Sequence, residues 1–285
     1  MKLSVINTGY FKLDGGAMFG VVPKKLWIKT NEPDQNNLCT WAMRSLLIED
    51  ENKLILIDTG IGNKQTDKFF SHYYLHGEDN LQSSLKNSGY SLEEVTDVIL
   101  THLHFDHCGG AVKWKNNDRK VLEPVFKNAT FWSNKNHWDW ANKANEREKA
   151  SFLSNNISPI EQSGQLKFIE RKSQLTKGVF QNIDIFFADG HTESQMIPVI
   201  NYNGQKIAFM ADLLPSVGHI PLPYVMGYDT RPLKTLQEKS IFLKLALKNN
   251  YLLYLQHDSK NESCKLQSTE KGIRLKSTHP LSDFL

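Results

Sequence analysis

The sequence has few cysteines and no long apolar segment. Its three cysteines, Cys39, Cys108 and Cys264, lie far apart and have no CxxC spacing. This argues against a disulfide framework, so we expect the protein in the cytoplasm. No stretch approaches the roughly 20 consecutive apolar residues that a membrane-spanning helix requires. The sequence therefore predicts no membrane partner.

The sequence also lacks an excess of one charge. Its 34 basic and 31 acidic residues are spread along the chain and leave a formal net charge of +3. Because nucleic-acid-binding surfaces need clustered positive charge, we expect no nucleic-acid partner. A hydrophobic content of 40% in 285 residues suffices for a sizeable core. We expect one domain over residues 1–285, and the oligomeric state stays open, a homodimer included.

What the chain does have is a short stretch that is dense in metal-ligand side chains. Residues 101–110 read THLHFDHCGG, and four ligand types fall within six positions of it. These four are His102, His104, Asp106 and His107. Side chains two positions apart point the same way in extended backbone, so the first three can converge while His107 points elsewhere. Packing gains nothing from so many polar groups after the apolar run Val95–Leu100, whereas two metal ions would use them.

Ligand-type residues recur where other apolar runs end. The run Ile183–Ala188 leads to His191, the run Lys206–Ala211 ends at Asp212, and the run Tyr251–Gln256 ends at His257. Four strand ends that meet at one edge would bring seven ligands together, five histidines and two aspartates. Imidazole and carboxylate groups favour zinc, and also suit iron, manganese or cobalt. Without a cysteine ligand, a closed structural zinc site is disfavoured.

Three further segments matter for the site. Asp58 ends the apolar strand Lys53–Ile57 and reads either as a ligand or as a cap on the next turn. A segment rich in helix formers, around residues 134–160, predicts a helical cap over the site. The apolar loop Ala17–Trp27 either packs on the body or lines a pocket. Gly9 and the pair Gly15-Gly16 interrupt the β-like pattern from Lys2 to Phe19 and predict a hairpin there. The stretch Thr230–Lys248 predicts a helix.

The ligand pattern resembles that of the metallo-β-lactamase superfamily. Thr101–Gly110 matches its H-x-H-x-D-H signature, and His191, Asp212 and His257 match the later ligand positions in order and spacing. The resemblance covers nearly the whole chain. Within the superfamily, Asp14–Pro23 and Met210–Pro215 resemble the branch that holds quorum-quenching acyl-homoserine lactonases and methyl-parathion-hydrolase-like enzymes.

This resemblance implies an α/β fold, a four-layered αββα sandwich of two mixed sheets with helices outside. It also implies two divalent metal ions per chain, with zinc expected first. Three groups of ligands would hold them: His102, His104 and His191 on one ion, Asp106, His107 and His257 on the other, and Asp212 between both. Asp58 would support the ligands from behind.

The activity implied is hydrolysis by a hydroxide shared between the two metal ions. We expect the small-molecule substrate to be an ester, with an acyl-homoserine lactone first, and Asp106 to relay a proton to the departing alkoxide. An apolar acyl pocket would be lined by Phe19, Val22, Trp27 and Trp138. Several lactonases have a tyrosine three positions after the bridging aspartate, where this chain has Pro215. The candidates to replace it are His219, Tyr224 and Tyr228.

Other functions remain open beside lactone hydrolysis. Glyoxalase-II-like thioesterases share all seven ligands, and phosphotriesterases belong to the branch that the chain resembles. Zinc β-lactamases generally lack the bridging aspartate, flavodiiron proteins normally have a glutamate at the position of His104, and related nucleases need a basic arm. A metal-binding sensor or scaffold without turnover is the non-enzymatic alternative.

Overall fold

The computed structural model describes residues 1–285, and the chain forms two compact units in it. The first unit comprises residues 1–10 and 43–170, and the second comprises residues 11–42 and 171–285. Each unit is built around one large mixed sheet with helices. No helix is long and apolar enough to cross a membrane.

Fifteen strands make up the sheets. In chain order they are β1 (Lys2–Asp14), β2 (Leu38–Asp50), β3 (Lys53–Ile57), β4 (Asp97–Ile99), β5 (Val112–Trp114), β6 (Leu122–Pro124), β7 (Thr130–Ser133), β8 (Leu166–Phe168), β9 (Leu175–Phe180), β10 (Ile183–Ala188), β11 (Gln195–Tyr202), β12 (Gln205–Phe209), β13 (Leu252–Tyr254), β14 (Ser263–Thr269) and β15 (Gly272–His279).

Eight α-helices accompany the strands, and most of them are short. They are α1 (Gly15–Phe19), α2 (Lys24–Trp27), α3 (Asp67–Ser71), α4 (Leu81–Asn87), α5 (Phe105–Cys108), α6 (Lys135–Asn142), α7 (Ser154–Gln162) and α8 (Pro232–Lys248).

The first unit contains the sheet with strand order β1-β2-β3-β4-β7-β8. Strand β2 runs antiparallel to β3, and β3, β4, β7 and β8 are parallel to one another. Parallel strands are covered on both faces, which explains why all three residues of β4 are buried. The core includes Leu56, Val98 and Phe131, from three neighbouring strands. The parallel strands β3 and β4 end at the same edge of the sheet, which places Asp58 beside the stretch that follows Leu100.

The second unit contains the seven-stranded sheet with order β15-β14-β13-β12-β11-β10-β9. Only β12 and β13 are parallel. The turn at Asn203-Gly204 joins β11 to β12 as predicted, with Tyr202 opposite Gln205. Helix α8 packs on this sheet through Phe242, Leu243 and Ala246, which lie in the core of the unit.

Three sequence-based expectations about local structure are wrong. Residues 1–19 do not form a hairpin, because β1 continues through Gly9 (φ 102°) while Tyr10 exchanges two backbone hydrogen bonds with His76. The segment 134–160 is not one helix, since α6 ends at Asn142 and α7 begins only at Ser154. The ligand stretch is extended only as far as His104, because the chain turns into α5 at Phe105.

Gly62 packs closely against Gly109, which follows the candidate ligands, and this close approach can be tested by substitution. Gly62 has a φ of +68°, and a Cβ atom there would lie 2.7 Å from the carbonyl oxygen of Gly109. Gly164 has a φ of +74°, yet nothing lies within 4 Å of the same position. We expect Gly164→Ala to lower the free energy of unfolding by about 1 to 2 kcal/mol, the cost of a left-handed alanine. Gly62→Ala should lose a further 1 to 3 kcal/mol, roughly the cost of overpacking.

Urea denaturation of the two variants beside the unmodified protein measures this difference. Because both substitutions carry the same backbone strain, equal losses of stability would show that the close approach at Gly109 imposes no constraint.

Candidate metal centre

The first unit gathers four of the predicted ligands, which we call the first cluster: His102, His104, Asp106 and His107. All four are buried, and His102 and His107 are fully so. His102 and His104 lie on the irregular segment after β4, and the single turn of α5 carries Asp106 and His107. The Nε2 atom of His102 lies 3.1 Å from Nδ1 of His104. The Nε2 atom of His107 lies 3.6 Å from an oxygen of Asp106.

Asp58 supports the first cluster from behind. Its buried carboxylate accepts hydrogen bonds from the backbone N–H of Thr101 (2.8 Å) and from the Thr101 hydroxyl (2.7 Å). The same carboxylate lies 2.9 Å from Nδ1 of His107. Asp58 thereby fixes the start of the ligand stretch and the ring of its last histidine. The N–H at Nδ1 of His107 faces Asp58, which leaves Nε2 available as a ligand atom.

His104 contacts a carboxylate from the segment that was predicted to form a cap. Its Nε2 atom lies 3.5 Å from Oε1 of Glu148, which is also buried. The other oxygen of Glu148 accepts hydrogen bonds from the Trp140 indole and the Asn145 amide, both at 2.7 Å. These contacts hold Glu148 behind His104, on the side away from His102. Sequence reasoning missed Glu148, since nothing distinguishes it from the other charged residues of this segment.

His137 supports the backbone of the ligand stretch. It is fully buried on α6, and its Nε2 accepts a hydrogen bond of 2.8 Å from the backbone N–H of Leu103, which lies between two ligands. Sequence reasoning missed this residue too. Its nearest signal was Asn134, whose side chain caps α6 at the backbone N–H of His137.

The second unit gathers the other three predicted ligands, which we call the second cluster: His191, Asp212 and His257. The two oxygens of Asp212 face different imidazoles. Oδ2 lies 3.0 Å from Nε2 of His191, and Oδ1 lies 2.9 Å from Nε2 of His257. The Asp212 carboxylate is thus shared between the two histidines of its cluster.

Both histidines of the second cluster are also held from behind. Nδ1 of His191 lies 3.0 Å from Asp229, and Nδ1 of His257 donates to the carbonyl of Ala42 at 2.7 Å. Burial lowers the pKa of His191, but the carboxylates of Asp212 and Asp229 raise it to about 10 overall. A divalent cation would replace that proton between His191 and Asp212. Asp229 was missed from the sequence because it lies 38 positions beyond His191 and in no motif.

The chemistry of the two clusters fits a divalent metal ion. In each of the five histidines one ring nitrogen faces another ligand residue or the cluster interior, while the other nitrogen has a partner behind it. For His102, His104, His107, His191 and His257 in turn, these rear partners are the Thr101 hydroxyl, Glu148, Asp58, Asp229 and the carbonyl of Ala42. Metal-binding histidines in proteins are oriented in this way. All seven side chains offer nitrogen or oxygen ligand atoms and are buried.

The family follows from the sequence as a whole. Residues 44–257 match the model of the metallo-β-lactamase superfamily. The chain belongs to this superfamily. The match spans the ligand residues of both clusters, from His102 to His257.

Known metallo-β-lactamase superfamily proteins resemble the chain to different extents. An N-acyl homoserine lactonase of Bacillus cereus is 33% identical over 105 residues, which cover 33% of this chain and 41% of the relative. The chain thus spans about two fifths of the length of that curated relative. A probable metal-dependent hydrolase of Staphylococcus aureus has a similar structure, with a TM-score of 0.85, 26% identity and 98% of each chain covered.

A dizinc quorum-quenching lactonase, AidC, superposes with a TM-score of 0.77 at 23% identity, over 98% of this chain and 95% of its own. Together with the two mixed sheets, these structural similarities confirm the predicted metallo-β-lactamase fold.

The residues predicted to contact substrate fall into two groups. Phe19, Trp27 and Val22 are buried in the second unit, and Phe19 stacks on Trp27 with ring centroids 5.3 Å apart. Trp138 belongs to the core of the first unit. By contrast, Tyr228 is 40% exposed and Tyr224 is half-buried. Of the candidates to replace the lactonase tyrosine, the two tyrosines have the more accessible side chains.

His219 is enclosed by the second unit. Its Nδ1 lies 2.9 Å from the Ser216 hydroxyl, its Nε2 donates to the carbonyl of Met18 at 2.9 Å, and its ring stacks on Phe19 at 4.3 Å. Burial lowers the pKa of His219 to about 3. The imidazole is therefore neutral over the physiological range, and both of its nitrogens have internal partners.

The role of Asp58 behind the first cluster predicts the effect of Asp58→Asn. Both oxygens of Asp58 face donors, whereas an asparagine has one oxygen and one NH2 group. Asparagine therefore cannot accept hydrogen bonds from Thr101 and His107 without turning an N–H group towards a donor. We expect the affinity for zinc to fall by about 10- to 100-fold, as for other residues that orient metal ligands. Competition with a chromogenic chelator measures the affinity, and Asp118→Asn, at an exposed aspartate, is the control. An unchanged affinity in a folded Asp58→Asn protein would contradict this role.

The low pKa of His219 predicts a pH dependence of stability. The unfolded chain binds a proton at this histidine below about pH 6.5, whereas the folded chain does not until about pH 3. The free energy of unfolding therefore decreases as the pH falls from 6.5, because the unfolded chain binds one proton more than the folded chain. In His219→Phe this contribution is absent. The loss of partners for Ser216 and Met18 should cost about 1 to 3 kcal/mol at pH 7.

Urea unfolding of the metal-free protein at pH 7 and pH 5 tests both effects. The difference in stability between the two pH values should be smaller for His219→Phe than for the unmodified protein. The exposed His72 supplies the control variant His72→Phe. The same pH difference in His219→Phe as in the unmodified protein would show that His219 does not account for it.

Proposed function

We propose that the two clusters together form a dinuclear metal centre of a hydrolase. His102, His104 and His191 would hold one ion, Asp106, His107 and His257 would hold the other, and Asp212 would contribute to both. One observation carries this proposal: every histidine of the set has a polar atom within 3.5 Å of one ring nitrogen, and its other ring nitrogen is directed into the cluster. Buried histidines that served packing alone would not need this shared orientation.

The metal ions supply the chemistry that the side chains lack. Two divalent cations lower the pKa of a shared water molecule towards neutrality and polarise the oxygen of a carbonyl or phosphoryl group. Zinc suits the imidazole and carboxylate ligands best, and iron, manganese and cobalt suit them too. The chain itself needs no serine or cysteine nucleophile, and its three cysteines are all buried.

The residues of the chain orient the ligands and move one proton. Asp229, Asp58 and the carbonyl of Ala42 fix the rings of three histidines, so that the ligand geometry exists before the substrate binds. Asp106 would offer one carboxylate oxygen as a ligand. We assign to its other oxygen the transfer of a proton to the departing alkoxide.

The substrate that we propose is an ester, with an acyl-homoserine lactone first. This rests on the superfamily together with the N-acyl homoserine lactonases among the sequence relatives. Opening the lactone ring would make quorum quenching the biological outcome. A glyoxalase-II-like thioesterase and a phosphotriesterase use the same ligands and are the alternatives. Pro215 takes the place of a substrate-binding tyrosine, which we reassign to Tyr224 or Tyr228 because they are accessible.

Several expectations from the sequence remain proposals. They are a single functional domain over residues 1–285, a cap-like role of the segment around 134–160, a cytoplasmic location and a homodimer.

The decisive experiment combines metal analysis with a substrate panel. Metal-replete protein should contain two metal ions per chain by mass spectrometry. It should hydrolyse N-hexanoyl-homoserine lactone faster than a glutathione thioester or an aryl phosphotriester. In Asp212→Ala, both metal content and turnover should fall, turnover by more than about 100-fold, because a ligand counts for more than the residues that orient ligands. The exposed Asp118→Asn variant should match the unmodified protein.

Each part of the proposal can fail separately. Fewer than two ions in metal-replete protein would contradict the dinuclear centre, and full activity in Asp212→Ala would contradict the bridge. Activity on the thioester alone would replace the lactonase with a thioesterase. Two bound ions without turnover of any substrate would favour a metal-dependent sensor.

A further inference from the structure

The segment 221–228 of the second unit has no helix or strand, although it carries both accessible candidate tyrosines. Its backbone forms short turns, such as the hydrogen bond from the N–H of Tyr224 to the carbonyl of Pro221 (2.9 Å). Farther along, Gly227 donates to the carbonyl of Ala17 (2.8 Å). Local turns of this kind are rarely enough to fix a loop. The first half of the segment therefore needs a further anchor.

Lys239 of helix α8 supplies that anchor. Its side chain is 1% exposed, and its Nζ atom donates to three backbone carbonyls of the segment. The distances from Nζ are 3.0 Å to Pro221, 3.4 Å to Leu222 and 2.7 Å to Tyr224. In its protonated form the group has three protons to donate, one for each carbonyl.

The surroundings of Lys239 leave these carbonyls as its main polar contacts. Burial lowers the pKa of Lys239 to about 7, and the nearby carboxylate of Asp229 opposes that shift. The adjacent carboxylate, Glu238, is directed elsewhere and accepts the backbone N–H groups of Asp189 and Gly190 at 2.9 Å. A buried lysine is costly unless its donors are satisfied. Simple packing would be served better by an apolar side chain at this position.

We propose that Lys239 is a positioning residue that fixes the backbone of segment 221–228 and thereby the orientation of Tyr224 and Tyr228. The orientation of the two tyrosines matters for the reaction only if they contact substrate, so this part rests on the proposed function. The contact of Lys239 with the segment does not depend on that function.

The test uses Lys239→Met, which keeps a side chain of similar length without its donors. Hydrogen exchange of the full chain, followed by mass spectrometry, should show faster exchange in a peptide that covers Leu222–Tyr228. We expect at least about a tenfold increase, because the loss of one hydrogen bond to a charged group suffices for that factor. Exchange in β11 and β12 should stay unchanged. The matched control is Lys244→Met, at an exposed lysine on the same helix.

Kinetics then test the link to the substrate. With whichever ester the unmodified protein hydrolyses, Lys239→Met should raise KM while kcat changes little, because the metal ligands stay in place. Faster exchange with an unchanged KM would overturn the substrate link. If the unmodified protein hydrolyses nothing, the proposed function fails, and the exchange measurement still decides whether Lys239 holds the segment.

A second variant guards against general loss of the fold. Should Lys239→Met be too unstable, Lys239→Gln keeps one donor group and should loosen segment 221–228 by a smaller factor. Unchanged exchange in segment 221–228 would overturn the proposal. So would an equal increase across the segment and the strands β11 and β12, since that result assigns Lys239 to general packing.

Discussion

An imidazole can act as a buried ligand only when its ring is held in one orientation and one tautomer, and much of this structure serves that requirement. Each of the five candidate ligand histidines has a partner on the side away from its cluster, such as the Thr101 hydroxyl or the carboxylate of Asp229. Thr101 is the neighbour of its histidine in the chain, whereas the other four partners come from distant segments and are buried beside theirs. The cost of burying the carboxylates is offset by hydrogen bonds, as those from Thr101 to Asp58 and from Trp140 and Asn145 to Glu148.

Helix α8 holds backbone groups of two loops in the second unit. Two adjacent buried residues of opposite charge, Glu238 and Lys239, are each directed to backbone groups. Glu238 accepts the N–H groups of Asp189 and Gly190, directly before the ligand His191. Lys239 donates to carbonyls of the segment that carries Tyr224. One helix thus fixes a ligand loop and a candidate substrate loop, so its packing on the sheet is linked to the geometry of the site.

Sequence reasoning identified the seven candidate ligands because they stand in a dense motif and at the ends of apolar runs. The class of fold was implied by the resemblance of this pattern to the metallo-β-lactamase superfamily. The residues behind the ligands could not be identified in this way. Glu148 follows His104 by 44 positions and Asp229 follows His191 by 38, so only folding shows which carboxylate faces which ring. The hairpin expected in residues 1–19 failed for a related reason: the partner that keeps β1 extended beyond Gly9 is His76, far along the chain.

The difference between what residue type predicts and what only folding shows also explains why the substrate is less well defined than the candidate metal centre. Metal ligation depends on residue type, and few side chains can replace histidine or aspartate there. Apolar residues such as Phe19, Trp27 and Trp138 serve a core as well as a pocket, and here all three are buried. The accessible candidates for substrate contact, Tyr224 and Tyr228, lie on irregular backbone. Segment 221–228 is held without the hydrogen bonds of a helix or strand, and the buried Lys239 donates to its carbonyls instead.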